Sequence, residues 1–254
     1  MDTRHSIVTR FLRGARQLRP PRPPTVPPWD LALVLEALTR PRLPLQSVGL
    51  KELSFKATLP LALASVKRIG DLHALSVNAD CMQFGPGDCN VTLKPRSGYV
   101  PKSLSTLFRA QVITLPDFTP ELAASNATPH RALCPVWALR TYIDRSAHFR
   151  QSEQLFVCFG GGTKGWPVSK QRLSHWVVDA IALAYCSQGM ECPIGVRGHS
   201  TRAIASSWAW NFYQRYLHGG WMVFTEHLRQ ILQVGHKLPG LSGPVGEYRQ
   251  RFHL

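Results

Sequence analysis

Two short motifs, far apart in the chain, carry residue types that together could hold a phosphate group. His199 and Arg202 are three residues apart, and on a helix that spacing puts both side chains on one face. Arg68 and Asp71 have the same spacing at the end of an apolar run, where the acid could orient the arginine. A guanidinium matches phosphate oxygens with paired N–H donors, and an imidazole can move a proton near neutral pH. Either motif alone is more often a solvated helix edge, but the two together indicate phosphate chemistry.

The sequence around the motifs predicts helices that would hold them in position. Asp30 can cap a helix whose apolar residues recur every three or four positions, which is the spacing of a buried face. A second helical run, over residues 49–66, ends just before Arg68, and Pro60 should kink it. Ser169 suits the N-cap of the most regular helix in the chain. Further helices are predicted from Pro135 and from about Ser200.

Short strands are predicted between the two motifs. Residues 82–84 and 90–93 flank a Pro-Gly-Asp turn, which indicates a hairpin, and residues 110–115 are a third candidate strand. Residues 155–159 are apolar and predict a short buried segment, with Cys158 in the core. The predicted helices outnumber the strands, so we expect an α+β fold that is mostly helical and has a small antiparallel sheet.

The chain divides into three parts by composition. Residues 1–28 form a basic tail that ends in a proline-rich linker. Residues 29–217 carry the predicted helices and strands and are expected to form one domain. Residues 218–254 contain glycines and prolines that break regular structure, and they are expected to form a divergent C-terminal tail.

The chain is strongly basic. Lys and Arg number 30 and Asp and Glu 15, which gives a net charge of +15. This charge favours a polyanionic partner, with nucleic acid the first candidate and a merely basic surface the alternative. No apolar run reaches the length of about 18 residues that a membrane span needs, so no membrane partner is expected. The basic N-terminus lacks the apolar region of a secretory signal, although its composition also fits a targeting peptide.

Nucleotide and metal cofactors are not expected. Residues 160–165 are glycine-rich and include a lysine, but they lack the Gly-Lys-Ser/Thr ending of a phosphate loop, so a plain turn is the better interpretation. The six cysteines form no Cys-x-x-Cys pair, and zinc-ligand spacing is absent. Without a secretory route these cysteines are expected to be reduced thiols, in a nuclear or cytoplasmic protein.

Taken in order, the motifs and their surroundings resemble the catalytic domain of the tyrosine recombinase (phage integrase) family. The similarity is greatest to the recombinase of DIRS-like retrotransposons of vertebrates, and it runs from about residue 5 to about residue 210. The stretches that carry it are LALASVKRIGDLHALSV (61–77), LKPRSGYVPKSLSTLFRAQVITL (93–115), LCPVWALRTYIDRS (133–146), SEQLFVCFGG (152–161), VSKQRLSHWVVDAI (168–181) and RGHSTRAIASSWA (197–209). The resemblance implies a tyrosine-recombinase-like fold for residues 29–217, double-stranded DNA as partner and a retrotransposon origin. It also allows a homo-oligomer on DNA.

The resemblance implies a chemistry that uses no metal and no nucleotide. A tyrosine attacks the phosphodiester and forms a 3′-phosphotyrosine bond, which a 5′-hydroxyl then attacks to join a new strand. Arg68 and Arg202 match the two arginines that hold the phosphate oxygens, on which charge grows in the transition state. His199 matches the histidine that assists proton transfer. Lys94 is our first choice, and Lys102 the second, for the lysine that protonates the departing 5′-oxygen.

Two further residues have supporting roles in this scheme. Asp71 would orient the arginine of its motif rather than act as a base. His175 lies off the apolar face of its predicted helix. A residue of that helix can face the phosphate in the family, but a surface histidine is the commoner case.

The nucleophile is where the sequence departs from the family. Counted from Arg202 at the family's spacing, the tyrosine would fall in the low 230s, where the sequence reads QILQVGH (230–236). Trp221 comes a few residues early for the family's His/Trp position, and Tyr248 comes late for the nucleophile. Two hypotheses follow: a strand-exchange enzyme, or a non-catalytic DNA-binding remnant that keeps the phosphate clamp. The missing tyrosine favours the second, and a basic scaffold for nucleic acid is a third.

Overall fold

Helices and one small sheet alternate along the chain. The computed structural model describes Gly14 and residues 29–39, 45, 47–101, 112–117 and 133–207. The helices are α1 (Leu31–Thr39), α2 (Leu50–Ser65), α3 (Ile69–His73), α4 (Pro135–Ser146) and α5 (Lys170–Cys186), and the strands are β1 (Met82–Phe84), β2 (Asn90–Leu93) and β3 (Ile113–Pro116). Short 3-10 helices occupy Pro86–Asp88, Ala147–Phe149 and Gly161–Thr163. A further helix, α6, begins at Ser200 and is described through residue 207. The predicted α+β class is confirmed, whereas the predicted tail at 218–254 lies outside the described residues.

The three strands form one antiparallel sheet in the order β1-β2-β3. Val91 and Leu93 of β2 are fully buried and pair with Leu115 and Ile113 of β3. Side chains alternate between the faces of a strand, so these two pairs place one face of the sheet on the core. The predicted hairpin and the third strand are thus confirmed.

Helix α2 is the centre of the fold. All residues from Leu53 to Ala64 are buried, and the helix continues through Pro60. A helix that is apolar on all sides belongs in a core, and α2 packs against both α4 and α5. Lys56 is the charged exception in this buried stretch, and its ammonium pairs with Glu52 Oε1 over 3.2 Å.

An aromatic group joins α2 to α5. Trp176 of α5 is buried, and its ring centroid lies 6.4 Å from that of Phe55, 6.3 Å from that of Phe156 and 5.2 Å from that of Phe159. Truncating a buried aromatic side chain of this kind costs about 3–5 kcal/mol. This packing holds α5, whose polar side carries His175, against α2.

The predicted helix caps at Asp30 and Ser169 are confirmed. The Asp30 carboxylate accepts hydrogen bonds from two backbone N–H groups of the first turn of α1, over 2.8 and 3.2 Å. The backbone N–H of Asp30 donates to the Tyr185 hydroxyl over 2.8 Å, which docks α1 on the end of α5. Ser169 Oγ accepts from the N–H of Arg172 over 3.2 Å.

The apolar segment 155–159 is irregular rather than a regular strand. Leu155, Phe156 and Val157 are buried as predicted, and the Tyr142 hydroxyl accepts from Val157 N over 2.9 Å. Cys158, which was predicted in the core, is partly exposed, because the chain turns toward the surface before the glycine-rich residues. Within the described ranges, no helix combines the length and apolar character needed to cross a membrane.

Candidate nucleic-acid interface

The turn between α2 and α3 presents two consecutive cations, Lys67 and Arg68. Val66 ends α2 in the left-handed region, with φ 53° and ψ 23°. A β-branched residue rarely adopts this conformation because its Cβ crowds the backbone, at a cost of about 1–2 kcal/mol. The backbone N–H of Arg68 donates to Asp71 Oδ2 over 3.1 Å. Asp71 therefore fixes the backbone from which the Arg68 side chain starts.

Tyr99 reaches this turn from the segment that follows β2. Its hydroxyl donates to Asp71 Oδ1 over 2.6 Å, a short distance typical of a charged acceptor. Burial of the phenol, together with the hydrogen bond to Asp71 and the charge of that carboxylate, raises the pKa of Tyr99 to about 12, and the charge of Arg68 opposes the rise. Both oxygens of Asp71 are therefore engaged, one by a backbone N–H and one by a phenol.

Close packing of a glycine holds the His-x-x-Arg motif. Gly198 is buried against α5, where a Cβ in its place would lie 2.5 Å from Ser174 Oγ and 3.2 Å from the carbonyl oxygen of the same serine. The residue before His199 must therefore lack a side chain. Ser200, directly after the histidine, accepts a hydrogen bond at Oγ from Trp29 Nε1 over 2.8 Å, which ties the start of α6 to the entry of α1.

Arg202, in the first turn of α6, lies close enough to the α2–α3 turn for its charge to act on Lys67. Burial lowers the pKa of Lys67, the charge of Asp71 opposes this, and the nearby charge of Arg202 adds to it. The two motifs, distant in sequence, are thus brought together at Lys67. Contact of both guanidinium groups, those of Arg68 and Arg202, with one phosphate stays a prediction.

An open cleft of about 420 Å³ lies between the start of α3 and the His-x-x-Arg motif. It is lined by Ile69, Lys170, Gln171, Ser174, His175 and His199. The two histidines are both exposed, and they enter the cleft from different elements. His175 is therefore a surface histidine, as its position on α5 indicated, and it also shares a cleft with His199.

Lys170, the first residue of α5, lines this cleft and also lies beside the first turn of α3. A Cβ on Gly70 would lie 3.4 Å from Lys170 Nζ and 3.9 Å from the Tyr99 hydroxyl oxygen. The ammonium and the phenol therefore both lie close to α3 at position 70. We call Lys67, Arg68, Lys170 and Arg202, together with the neighbouring imidazole of His199, the cationic cluster.

Arg96 adds a further positive charge near Lys170, and both act on His73. His73 Nε2 lies 3.0 Å from the Val168 carbonyl oxygen. Burial lowers the pKa of His73, the bond to Val168 opposes this, and the charges of Arg96 and Lys170 lower it further. The positive charge of the region therefore extends from Lys170 to Arg96, with His73 in range of both.

Lys94, the first choice for the catalytic lysine, is exposed at the end of β2, and its backbone N–H donates to the Cys81 carbonyl over 2.6 Å. In the part of the chain that the structure describes, no hydrogen bond, ion pair or ring contact joins its side chain to Arg68, His199 or Arg202. The role of Lys94 stays a prediction. Three other candidates lie outside the described residues: Lys102, Trp221 and Tyr248.

Sequence reasoning missed three members of this region. Lys67 had a clear signal, because it directly precedes Arg68. Lys170 had a weaker one, as the first residue of a helix capped by Ser169. Tyr99 had none, since its approach to Asp71 depends on the path of the chain after β2.

The arrangement suits a bound anion, because guanidinium, ammonium and imidazole groups from three separate segments face one region. Asp71 is the acid within it, and its oxygens are occupied. Comparisons of the chain with protein-family models, with curated proteins and with solved structures found no match.

Proposed function

We propose that this chain is a DNA-binding protein of the tyrosine-recombinase type, and that its cationic cluster holds a backbone phosphate of double-stranded DNA. The observation that carries the proposal is the proximity of Arg202 to Lys67, the residue directly before Arg68, since the charge of Arg202 acts on that lysine. Neighbouring cations that outnumber the acids around them create a positive potential that attracts an anion. The net charge of +15 extends the attraction to the whole polyanion.

The order of the elements supports the recombinase type. Arg68-x-x-Asp71 comes first, a three-stranded antiparallel sheet follows, and His199-x-x-Arg202 closes the set. In this scheme the two arginines bind non-bridging phosphate oxygens, and His199 donates a hydrogen bond or a proton to the same group. Descent from the recombinase of a DIRS-like retrotransposon, a nuclear location and assembly as a homo-oligomer on DNA belong to the same proposal.

The proposed activity is DNA binding without strand cleavage. In-line attack needs a phenol oxygen about 3–3.5 Å from phosphorus, and a rigid element has to hold it there. Residues 230–236, where the family's spacing would put the nucleophile, contain no tyrosine. A phosphate clamp without its nucleophile would bind a DNA backbone and leave it intact.

A salt titration of DNA binding tests the proposal. The full chain is mixed with a fluorescently labelled duplex of arbitrary sequence, and the association constant is measured by anisotropy over a range of salt concentrations. Counterion release predicts a slope of log K against log salt of about −0.9 for each phosphate contacted. A flat dependence, or no binding at low salt, would remove nucleic acid as the partner.

The variant Arg202→Ala tests whether DNA binds at the cationic cluster. It should make the slope shallower by about 0.9 and leave the melting temperature close to that of the parent chain. Lys51→Ala is the matched control, because Lys51 is exposed at the far end of α2, about 20 Å from the α2–α3 turn. A collapse of thermal stability in Arg202→Ala would instead identify a structural arginine.

A further inference from the structure

We propose that Lys170 is the lysine that contacts DNA. Its ammonium binds a backbone phosphate in the cleft between α3 and the His-x-x-Arg motif. The inference rests on the proposed function and adds a residue that neither motif contains. The sequence analysis assigned the lysine–phosphate contact to Lys94 at the end of β2, whereas this inference assigns it to a residue of α5. The chemistry recognised is a phosphate group, and the source is the backbone of a nucleic acid.

The position of the ammonium group is the first argument. Lys170 Nζ lies beside Gly70, 3.4 Å from where a Cβ would stand, and it also lines the cleft. It is therefore within reach both of an anion in the cleft and of one held by the α2–α3 turn. A Cβ at this distance would make an ordinary van der Waals contact, so the ammonium lies directly against α3 at position 70.

The absence of an acidic partner is the second argument. Among the ion pairs of the described residues, none involves Lys170, and the acid nearest to it along α3, Asp71, already has both oxygens engaged. The three N–H donors of the ammonium are therefore available to water or to a ligand. An incoming phosphate would therefore not have to break an existing ion pair.

The other walls of the cleft complement a phosphate group. Gln171, Ser174, His175 and His199 add an amide, a hydroxyl and two imidazoles, all of which can donate hydrogen bonds. The volume of about 420 Å³ falls within the range of roughly 300–1,000 Å³ that holds small-molecule ligands, so it has room for a phosphate with its attached sugars.

Three lysine-to-glutamine variants and one conservative variant test the inference in the anisotropy assay. Lys170→Gln should weaken binding and make the salt slope shallower by about 0.9, which is the loss of one phosphate contact. Lys170→Arg should restore the slope, because the charge is kept. Lys51→Gln, an equal charge change at the far end of α2, should leave the slope at the parent value.

Lys94→Gln decides between the two lysines. If Lys94→Gln makes the slope shallower and Lys170→Gln does not, the contact belongs to the strand region and the inference is overturned. It is equally overturned if Lys170→Gln and Lys51→Gln have the same effect, since net charge alone would then explain the loss. If the parent chain does not bind DNA at all, the proposed function fails, and that result is distinct from either of these.

A second experiment distinguishes binding of a DNA backbone phosphate from binding of free inorganic phosphate. Inorganic phosphate is titrated into the parent chain and into Lys170→Gln; the melting temperature is recorded without DNA, and the bound fraction of the labelled duplex is recorded by anisotropy. We expect millimolar phosphate to compete with DNA in the parent chain more strongly than an equal ionic strength of chloride does. Stabilisation by phosphate that depends on Lys170, together with DNA binding that does not, would identify a free-anion site and overturn the inference.

Discussion

The Tyr99 hydroxyl and the Asp71 carboxylate are joined by a hydrogen bond of 2.6 Å, which fastens the segment after β2 to the first turn of α3. Tyr99→Phe removes this bond and leaves one Asp71 oxygen without its protein donor. We expect the free energy of unfolding at pH 7 to fall by about 1 kcal/mol, the usual worth of such a bond at a partly exposed site. Urea denaturation of the two proteins measures it, and an unchanged midpoint would mean that the bond contributes nothing.

The same pair should respond to alkaline pH. The pKa of Tyr99 is raised from 10.0 to about 12, so the folded state holds the phenol proton more tightly than the unfolded state does. The stability contributed by Tyr99 is therefore fully present below pH 10 and is lost as the pH rises toward 12. The difference in unfolding free energy between the parent chain and Tyr99→Phe should shrink across that interval. A difference that stays constant from pH 8 to pH 11.5 would contradict the assignment.

Gly198→Ala should disturb the His-x-x-Arg motif. The new Cβ would stand 2.5 Å from Ser174 Oγ, so either the motif or α5 has to move. Overpacking of this kind costs about 1–3 kcal/mol, and we expect a matching loss in denaturant stability together with weaker DNA binding. Gly160→Ala is the control, because nothing lies within 4 Å of a Cβ there and its φ of −157° suits any residue. Equal effects of the two substitutions would show that the packing against Ser174 is unimportant.

Lys67→Met should raise the stability of the fold and lower its affinity for DNA. Burial lowers the pKa of Lys67, which means that the folded protein holds the charged amine at a cost. Methionine keeps the length of the side chain without the charge, so the free energy of unfolding at pH 7 should rise, by less than about 1 kcal/mol because the half-buried group is screened by solvent. DNA affinity should fall in the same variant. A loss of stability would indicate that the attraction to Asp71 outweighs the burial.

The chain alone should form no covalent bond with DNA. A nicked duplex that traps phosphotyrosine intermediates is incubated with the protein, and the mixture is separated in denaturant. We expect no adduct, because the position of the family's nucleophile holds no tyrosine. An adduct that survives denaturant and disappears in Tyr248→Phe would show that the C-terminal residues deliver a nucleophile. Tyr99→Phe is the second variant to compare, since that phenol lies beside the cationic cluster.

Local features of the fold could be predicted because their causes lie within a few residues. Asp30 and Ser169 cap helices through their own first turns, and the turn at residues 86–88 makes a hairpin of its flanking strands. Cys158 packs against the core but is partly exposed, because an apolar neighbourhood in sequence does not show where the chain turns outward.

The candidate site was predictable only in part, because some of its residues come together only through tertiary packing. The two motifs were visible from residue types and spacing, whereas Tyr99 and Lys170 come close to them through tertiary packing. A tyrosine after a turn and a lysine at a helix start are common on any surface. Only the position of α5 against α3 gives Lys170 its place beside Gly70.

Trp29 donates its indole N–H to the residue that directly follows His199, and its ring is buried. Indole emission depends on the polarity and hydrogen bonding around the ring, so this tryptophan is a natural optical probe placed one residue from the motif. An anion that draws His199 toward itself would pull on Ser200 and alter the Trp29 spectrum before any label is attached. The difference spectrum between the parent chain and Trp29→Phe isolates this signal from the other six tryptophans of the chain.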